Sequence, residues 1–369
     1  MFTFELSAKF LSDEETELLN AGLGYFNLDK SIWKVFACLF RSTTKGTTPL
    51  VLRVYENGTL SGAAIIIECR RYGRALFRNR FLAGVMDLLG IPFHLWIKFG
   101  CCMDMMSNPG FVTDPARAGE LHAAMVRYLQ SHTFLAVIYD FTRNSSQHPG
   151  AAVLPSLPHA GIATAGMSSV TDYLKEHKSL KRKLSTFRNN GGTIDIIRGA
   201  LNSGDVESLR RCFLSTADKS VFYLPYQDLY LAAALTTSSA QLDSVYHFVA
   251  RLNGQFIGYQ AAIKTGSCLN ALHGAFDRTL RTTHHAYDLL FLKMVEFAVE
   301  NRLTSIDFGA VLNETKQRMV NQVTEMSYFL GSRYGLVQWF FSAFLKVTRI
   351  QGREQMRFRS TEQGKENQG

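Results

Sequence analysis

Two stretches of the chain show the pattern of a β-hairpin, in which a short turn separates two runs of strand-forming residues. In the first, the apolar run LVLRVY is followed by Glu56-Asn57-Gly58 and then by LSGAAIIIEC. In the second, VYHFVARL is followed by Asn253-Gly254 and then by QFIGYQAAI. Asn-Gly between two such runs favours a tight hairpin turn. The pattern therefore predicts hairpins over residues 49–69 and 245–263.

The elements that follow each hairpin also come in the same order. After the first hairpin, Leu121, Met125 and Tyr128 have helical spacing, and the strand pattern FLAVIYDF comes next. After the second, residues 287–302 have the same kind of spacing and lead into the strand pattern SIDFG. A hairpin, a helix and a strand with Asp-Phe thus occur twice in one order, which indicates an internal duplication. We predict an α/β protein of two related units, each a central mixed β-sheet flanked by helices.

The length of the chain, 369 residues, is enough to bury two ordinary hydrophobic cores. A stretch rich in Pro, Gly and Ser, residues 144–169, separates the two units and is expected to be a loop. Before the second hairpin the patterns predict a basic helix, a strand and two more helices, at 170–190, TIDII, 205–218 and 226–234. We therefore predict a non-catalytic N-terminal domain at 1–160, a catalytic C-terminal domain at 161–359 and a disordered tail at 360–369.

Composition and charge limit the classes of function. Lys and Arg number 40 against 31 Asp and Glu, so the net charge of +9 suggests an anionic partner: nucleic acid, a phosphorylated cofactor or anionic lipid. The six cysteines form no CxxC pair and have no histidine at metal-ligand spacing, which argues against a bound metal and against a disulfide framework. The N-terminus lacks the regions of a signal peptide, and charged residues interrupt the longest apolar tract, 81–106. These features predict a cytoplasmic protein without a transmembrane helix.

Four segments of the second unit follow one another in a recognisable order. They are Asn253-Gly-Gln-Phe-Ile-Gly, LNALHGAFDRTLR, HHAYDLLFLKMVEFAVENRLTSIDFG and Asn313-Glu-Thr-Lys. This succession resembles the GNAT superfamily, and within it the tandem branch that contains FemAB-like aminoacyl transferases and BioF2-like acyltransferases. The resemblance covers residues 170–333 and reaches the N-terminal unit only through the repeat. It implies two tandem GNAT-like domains, of which the C-terminal one is an acyltransferase.

The resemblance also implies a site for an acyl donor. In the GNAT fold a central strand splays from its neighbour, and the gap admits the pantetheine arm of acyl-CoA or of an acyl carrier protein. A glycine-rich turn at a helix N-terminus ordinarily holds the pyrophosphate of the donor. Here that turn has no glycine, and the donor-binding residues implied in it are Arg278, Arg281, His284 and His285. Because of this departure, aminoacyl-tRNA stays open as the alternative donor, and no tightly bound cofactor is expected.

Polar residues in the strands, at the strand ends and in the helices of the second unit are candidates for the chemistry. Acylation of an amine needs one group that accepts the amine proton and another that polarises the carbonyl. The candidate catalytic residues are His273, Asp277 and Asp307. The candidate substrate-binding residues are Tyr287, Asn313 and Lys316. Each has a structural alternative, since strand histidines are often only hydrogen-bonded, carboxylates often only cap chain ends, and helix lysines are often only solvated.

Two helices and one insertion leave their roles open. The helix over 170–190 carries six cations that form either a solvated face or a contact with tRNA or lipid phosphate: Lys175, Lys178, Lys181, Arg182, Lys183 and Arg188. The last helix, 336–350, has Trp339 and Phe340 on an apolar face and cations on another, so it lies in a membrane interface or docks on the core. The apolar insertion FRNRFLAGVMDLLGIPFHLWIKFG suits a lipid-binding lid, a membrane-facing surface or an interdomain core.

Three functions are consistent with these observations. The first is a cytoplasmic, peripherally membrane-bound N-acyltransferase that moves an acyl group from an acyl-CoA or acyl-carrier-protein thioester to an amine, with a lipidic long-chain amine as the favoured acceptor. The second is an aminoacyl-tRNA-dependent transferase of the FemAB type. The third is an inactive GNAT-fold module that binds lipid or a protein partner.

Overall fold

The computed structural model describes residues 2–25, 30–41, 47–70, 80–90, 92–96, 111–141, 148, 150–155, 159–217, 244–277, 285–310 and 318–343. They form two mixed β-sheets flanked by helices, so the predicted fold class is confirmed. None of the helices in these ranges is long and apolar enough to cross a bilayer.

The first half of the chain contributes strands and helices in alternation. The strands are β1 (Phe2–Ser7), β2 (Thr47–Glu56), β3 (Thr59–Cys69), β4 (Phe93–Trp96), β5 (Phe111–Val112), β6 (Ala136–Phe141) and β7 (Ala152–Pro155). The helices are α1 (Asp13–Tyr25), α2 (Ser31–Arg41), α3 (Arg80–Leu89) and α4 (Ala118–His132).

The second half repeats this alternation. Its strands are β8 (His159–Ala163), β9 (Gly192–Arg198), β10 (Val245–Leu252), β11 (Gln255–Thr265), β12 (Cys268–Phe276), β13 (Ser305–Ala310), β14 (Gln322–Thr324) and β15 (Met326–Gly331). Its helices are α5 (Val170–Glu176), α6 (Lys178–Asn189), α7 (Ser203–Ala217) and α8 (Ala286–Glu300), and residues 335–343 are also helical.

The two sheets have the same topology, which confirms the predicted duplication. The first sheet has the order β1-β2-β3-β4-β6-β15-β7, and the second has β9-β10-β11-β12-β13-β8-β14. Along each order the single parallel pair is the fourth strand with the fifth, β4 with β6 and β12 with β13. A helix precedes the fifth strand in both, α4 in one and α8 in the other. Each unit therefore contains the same seven-strand arrangement, and in the first sheet an eighth strand, β5, pairs with β3.

The two sheets exchange one strand each. Strand β15, from the end of the chain, pairs with β6 and β7 in the first sheet. Strand β8 directly follows β7 of the first sheet, as β15 follows β14 of the second, but it pairs with β13 and β14 in the second sheet. The predicted domain boundary between residues 160 and 161 stays a prediction. Because residues 326–331 pair within the first sheet, they belong structurally with the first unit.

Local chemistry explains the hairpin turns. Asn57 and Gly58 have φ values of 51° and 80°, and Asn253 and Gly254 have 49° and 81°. Left-handed backbone at both central residues is what a two-residue hairpin turn requires, and Asn-Gly adopts it readily. Both predicted hairpins are therefore confirmed.

Three expectations from the sequence need correction. The predicted loop over 144–169 contains β7 and β8, because the short runs AVLP and HAGIA pair with strands that are distant in sequence. The predicted helix over 170–190 is two helices that meet at His177. The apolar insertion contains β4, which occupies in the first sheet the place of β12 in the second. The predicted helix at 226–234 and the tail at 360–369 lie outside the described residues.

The hydrophobic cores show how the units meet. One core lies in the first unit and includes Phe329 and Leu330 of β15. A second lies between α8 and the second sheet, and a third lies under α7 on the opposite face of that sheet. Ile263 of β11 belongs to the first core, and Leu272 of β12 packs against it. The face of the second sheet that lies away from α8 therefore contacts the first unit.

Candidate active site

The parallel strands β12 and β13 separate from each other partway along their length. They pair over three positions, Cys268 with Ser305, Leu269 with Ile306 and Asn270 with Asp307. Beyond this point β12 continues to Phe276 on its other neighbour, β11, and β13 continues to Ala310 on β8. All these residues are described, and none beyond Asn270 pairs with β13. The backbone groups that would join the two strands therefore face a gap.

A β-bulge in β12 lies where the gap opens. Ala262 pairs with Ala271 and Ala261 pairs with His273, so Leu272 is the extra residue. A bulge changes the direction in which the following side chains point and is common beside active sites. The backbone of His273, a predicted catalytic residue, is thus the first paired position of β12 beyond the bulge.

Four aromatic rings, which we call the aromatic bridge, connect the separated strands through α8. Phe276 of β12 contacts Tyr287, with 5.2 Å between ring centroids, and Tyr287 contacts Phe291 at 4.7 Å. Phe291 stacks on Phe308 of β13 at 3.9 Å. Tyr287 and Phe291 are one turn apart, so one face of α8 contacts both β12 and β13. The helix therefore begins beside the far end of the gap.

Asp307 lies at the closed end of the gap and is fully buried. Its Oδ1 accepts a hydrogen bond of 2.7 Å from the backbone N–H of Gly309. Its Oδ2 is 3.5 Å from Nδ1 of His159, a buried residue of the exchanged strand β8. A buried carboxyl group needs such polar neighbours, because its ionised form is otherwise strongly disfavoured. His159 was not predicted from the sequence.

Asn270, opposite Asp307 in the register, anchors the last paired position of β12. Its Nδ2 donates to Oγ1 of Thr265 at 2.5 Å, and its Oδ1 accepts from Sγ of Cys268 at 3.1 Å. These three side chains are all buried. Polar groups that are buried and bonded to each other fix a unique local arrangement, so this network sets the place where the strands part.

The first turn of α8 carries its own negative charge. Residue Asp288 is buried there and forms an ion pair with Lys183 of α6. His285 precedes the helix with a left-handed backbone, φ 54°, and its side chain makes no capping hydrogen bond. A carboxylate near a helix N-terminus interacts favourably with the helix dipole. At a glycine-rich turn, a bound phosphate supplies negative charge to the helix N-terminus. Here the carboxylate of Asp288 supplies part of that charge.

Asp277 lies far from Asp307. It directly follows β12, and its N–H donates to the carbonyl of Ile257 at 2.9 Å. It lies seven positions after Asn270, which is on the order of 20 Å at the rise of a strand. It lies near Cys212 of α7, and burial together with the negative charge of Asp277 raises the pKa of that thiol to about 11. Asp277 and Asp307 are therefore at opposite ends of the gap.

The other predicted site residues divide into two groups. The structure places Tyr287, half-buried in the aromatic bridge, and His285 at the start of α8. Five residues lie outside the described part of the chain: Arg278, Arg281, His284, Asn313 and Lys316.

The residues that sequence reasoning missed are His159, Asn270 and the pair of Lys183 with Asp288. His159 lies in a stretch that reads as a loop, and it reaches the site only through strand exchange. Lys183 is one of several lysines in a basic run, and no local signal separates it from its neighbours.

A comparison with protein families defines the class of the second unit. Residues 175–317 match the family model described as the acetyltransferase (GNAT) domain. This range contains β12, β13 and α8, and with them the gap and the aromatic bridge. The second unit is therefore a GNAT-type acyltransferase domain, which confirms the predicted resemblance and the predicted class of enzyme. No curated protein sequence matches the chain.

Solved structures share the fold over both units. The C-terminal domain (DUF2156) of a proposed lysylphosphatidylglycerol synthetase from Agrobacterium fabrum has a TM-score of 0.53 at 13% identity, over 90% of this chain and 95% of that one. The L-PGS of Bacillus licheniformis has a TM-score of 0.54 at 10% identity, over 91% and 96%. A conserved protein of unknown function from Bacteroides thetaiotaomicron has a TM-score of 0.50 at 10% identity, over 90% and 100%. At such identities the likeness concerns the fold alone.

Proposed function

We propose that this protein is an N-acyltransferase that moves an acyl group from an acyl-CoA or acyl-carrier-protein thioester to an amine. The amine nitrogen attacks the thioester carbonyl, the C–S bond breaks, an amide forms and the thiol leaves. The nitrogen gives up one proton in the process. The favoured acceptor is a lipidic long-chain amine, which would bring the protein to the cytoplasmic face of a membrane as a peripheral protein.

The observation that carries this proposal is the gap between β12 and β13 within the GNAT domain. An extended donor arm can form hydrogen bonds there to the edges of β12 and β13 that face the gap, much as an added strand would. The helix α8 begins at the far end of the gap, where the positive end of its dipole favours an anionic part of the donor. A thioester carbonyl deep in the gap would then lie near the bulge at Leu272.

Within this proposal the roles follow from position and burial. His273 accepts the amine proton, since its backbone lies where the gap opens. Asp307 is fully buried, so it acts as a positioning residue that holds the end of β13 through Gly309. Asp277 is the candidate polar group at the outer end of β12. The candidate donor contacts are Arg278, Arg281, His284 and His285, and the candidate acceptor contacts are Tyr287, Asn313 and Lys316.

The test is product formation. Purified protein is mixed separately with acyl-CoA, acyl-carrier-protein thioester and charged tRNA, each with a panel of short-chain and long-chain amines, and products are identified by mass. The proposal predicts an amide from a thioester donor. Replacement of His273 by Ala should lower kcat by about 10²-fold or more, since general bases contribute that much. Replacement of His132, an exposed histidine at the end of α4, is the matched control and should leave kcat unchanged.

One observation favours the aminoacyl-tRNA alternative. In α6 the exposed cations Lys178, Lys181, Arg182 and Arg188 form no ion pair with any described residue. The same helix contacts the first turn of α8 through Lys183, so this positive surface adjoins the start of the donor-binding helix. A polyanion such as tRNA would bind there with a strong dependence on salt. The name of one structural neighbour, the proposed lysylphosphatidylglycerol synthetase, denotes an aminoacyl group and a lipid and is consistent with that alternative.

Charge reversal in α6 distinguishes a thioester donor from a charged-tRNA donor. Lys181→Glu with Arg182→Glu should leave turnover with a small thioester unchanged. If the donor is charged tRNA, the same change should weaken binding and reduce the slope of log affinity against log salt by about one for each phosphate that the protein no longer neutralises. An inactive module would bind a ligand but give no product with any donor, whether or not His273 is intact.

A further inference from the structure

The helix over residues 335–343 turns a row of large apolar side chains away from the protein. Leu336 is 82% exposed, Trp339 is 69% exposed and Phe340 is 54% exposed. Positions three and four apart in a helix lie on one face, so these side chains form a continuous outward row. We call it the outward face. Single exposed apolar residues are ordinary, but an exposed cluster on one face marks a surface that meets something else.

The helix is already docked on the first unit by its other side. Phe341 is buried in the first core, and Val337 packs against that core. Nε2 of Gln338 donates to the carbonyl of Gly150 at 3.0 Å. The orientation of the helix is therefore fixed by contacts that do not involve the outward face. The helix therefore docks on the core through Val337 and Phe341, while Leu336, Trp339 and Phe340 stay exposed.

The sequence that carries the outward face is rich in positive charge. From Arg333 to Arg353 the sequence contains four cations and no Asp or Glu. The guanidinium of Arg333 lies over the ring of Tyr334, 4.6 Å from its centroid, and both side chains are exposed. An aromatic residue with a polar tip and a neighbouring cation suit the level of lipid headgroups. Apolar side chains flanked by cations fit an anionic bilayer, which offers acyl chains and negative headgroups together.

We propose that the outward face, Leu336, Trp339 and Phe340, docks on the surface of a bilayer that contains anionic phospholipid. The apolar side chains enter the boundary between headgroups and acyl chains, and the cations contact phosphate. This surface lies on the first unit, and its three side chains are not among the residues of the acyl-transfer site, so the proposal does not depend on which donor the enzyme uses.

Trp339 reports on this contact directly. The full-length protein is titrated with vesicles of phosphatidylcholine that contain about 30% phosphatidylglycerol, and in parallel with pure phosphatidylcholine. Tryptophan emission and co-sedimentation with the vesicles are measured. We expect a blue shift of the emission and binding with the anionic vesicles, weakened by added salt. Trp339→Phe should abolish the blue shift while binding persists.

Charged substitutions complete the test. Leu336→Glu and Phe340→Glu should each weaken vesicle binding by about tenfold or more, because they place a negative charge at the interface. Leu18→Glu, at a leucine that is 51% exposed on α1, is the matched control and should bind as the wild type does. Circular dichroism confirms that each variant is folded.

Several results would overturn the proposal. These are no binding to anionic vesicles, equal binding to both kinds of vesicle, or equal losses for Leu18→Glu and Leu336→Glu. A dimer in light scattering that Leu336→Glu dissociates, together with an absence of vesicle binding, would show that a second copy of the chain covers this face instead.

Discussion

The imidazole of His159 lies against the buried carboxyl group of Asp307, with 3.5 Å between Nδ1 and Oδ2. The two residues come from strands that are distant in sequence, and the exchanged strand β8 brings them together. Asp307 also accepts the N–H of Gly309, two residues further along β13. Asp307 thus links the exchanged strand β8 to the backbone of β13 at the point where β12 separates from β13.

Removing the carboxyl group of Asp307 tests this relationship. Asp307→Ala leaves the buried N–H of Gly309 without its acceptor, so the free energy of unfolding should fall by about 1–3 kcal/mol. Asp307→Asn retains an amide oxygen that can accept this hydrogen bond and should cost less. Urea unfolding measures both variants. Equal stability of Asp307→Ala and the wild type would show that the hydrogen bond to Gly309 contributes nothing.

The ion pair of Lys183 with Asp288 should matter more than the neighbouring exposed charges. Lys183→Met leaves the buried carboxylate of Asp288 without its cation, and the loss of one partner of a buried pair costs about 3–5 kcal/mol. We expect a somewhat smaller loss, because Lys183 is partly exposed. Lys181→Met, on the same helix but exposed, is the control and should stay within about 0.5 kcal/mol of the wild type. Thermal unfolding measures the loss of stability in both variants. Similar losses in Lys183→Met and Lys181→Met would show that the ion pair is no more important than an exposed charge.

A buried histidine should make stability depend on pH. Burial lowers the pKa of the His247 imidazole from 6.5 to about 4 in the folded protein, while its bond to the carbonyl of Gly199 opposes the shift. Between these values the unfolded chain binds more protons than the folded one, so the free energy of unfolding falls as the pH falls from 6.5 towards 4. The contribution is about 3 kcal/mol.

Urea unfolding between about pH 4.5 and pH 7 tests this in the wild type and in His247→Gln. The difference in stability between the two pH values should be smaller in the variant. His132→Gln, at an exposed site, should retain the pH dependence of the wild type. An unchanged pH dependence in His247→Gln would show that this imidazole is not the group responsible.

Strand exchange predicts that the two units unfold together. Phe329 of β15 is fully buried in the first core, although β15 follows the second unit in the chain. Phe329→Ala should lower stability by about 3–5 kcal/mol, as expected for a buried aromatic side chain. Circular dichroism and tryptophan emission should show one coincident transition in both the wild type and the variant. The exposed Phe340→Ala should change little, and two separate transitions in the wild type would contradict the coupling.

Local sequence patterns predicted the parts of the fold that local chemistry decides. The turns at Asn57-Gly58 and Asn253-Gly254, the helix α8 and the order of elements in each unit all follow from residue spacing and turn preference. Strands β7 and β8 were not predicted, because runs of four or five residues owe their structure to pairing with distant strands. His159 was missed for the same reason. Its place beside Asp307 depends on topology and has no local signature.

The candidate site was predictable only in part. Sequence placed Asp277 and Asp307 at strand ends and His273 within a strand, but the register separates Asp277 from Asp307 along β12. The aromatic bridge was also hidden, since Phe276, Tyr287, Phe291 and Phe308 look like ordinary core residues until the strands diverge around them. The roles of the predicted site residues remain predictions.

Hydrogen exchange of the backbone amides in the gap tests the proposed donor site between β12 and β13. Amides of residues 272–276 and 308–310 that face the gap have no strand partner across it, so those not bonded to β11 or β8 should exchange quickly in the free protein. We expect that a non-reactive thioether analogue of the acyl donor slows exchange at these two segments and at the start of α8. Binding that protects other regions and leaves both segments unchanged would contradict a donor site between β12 and β13.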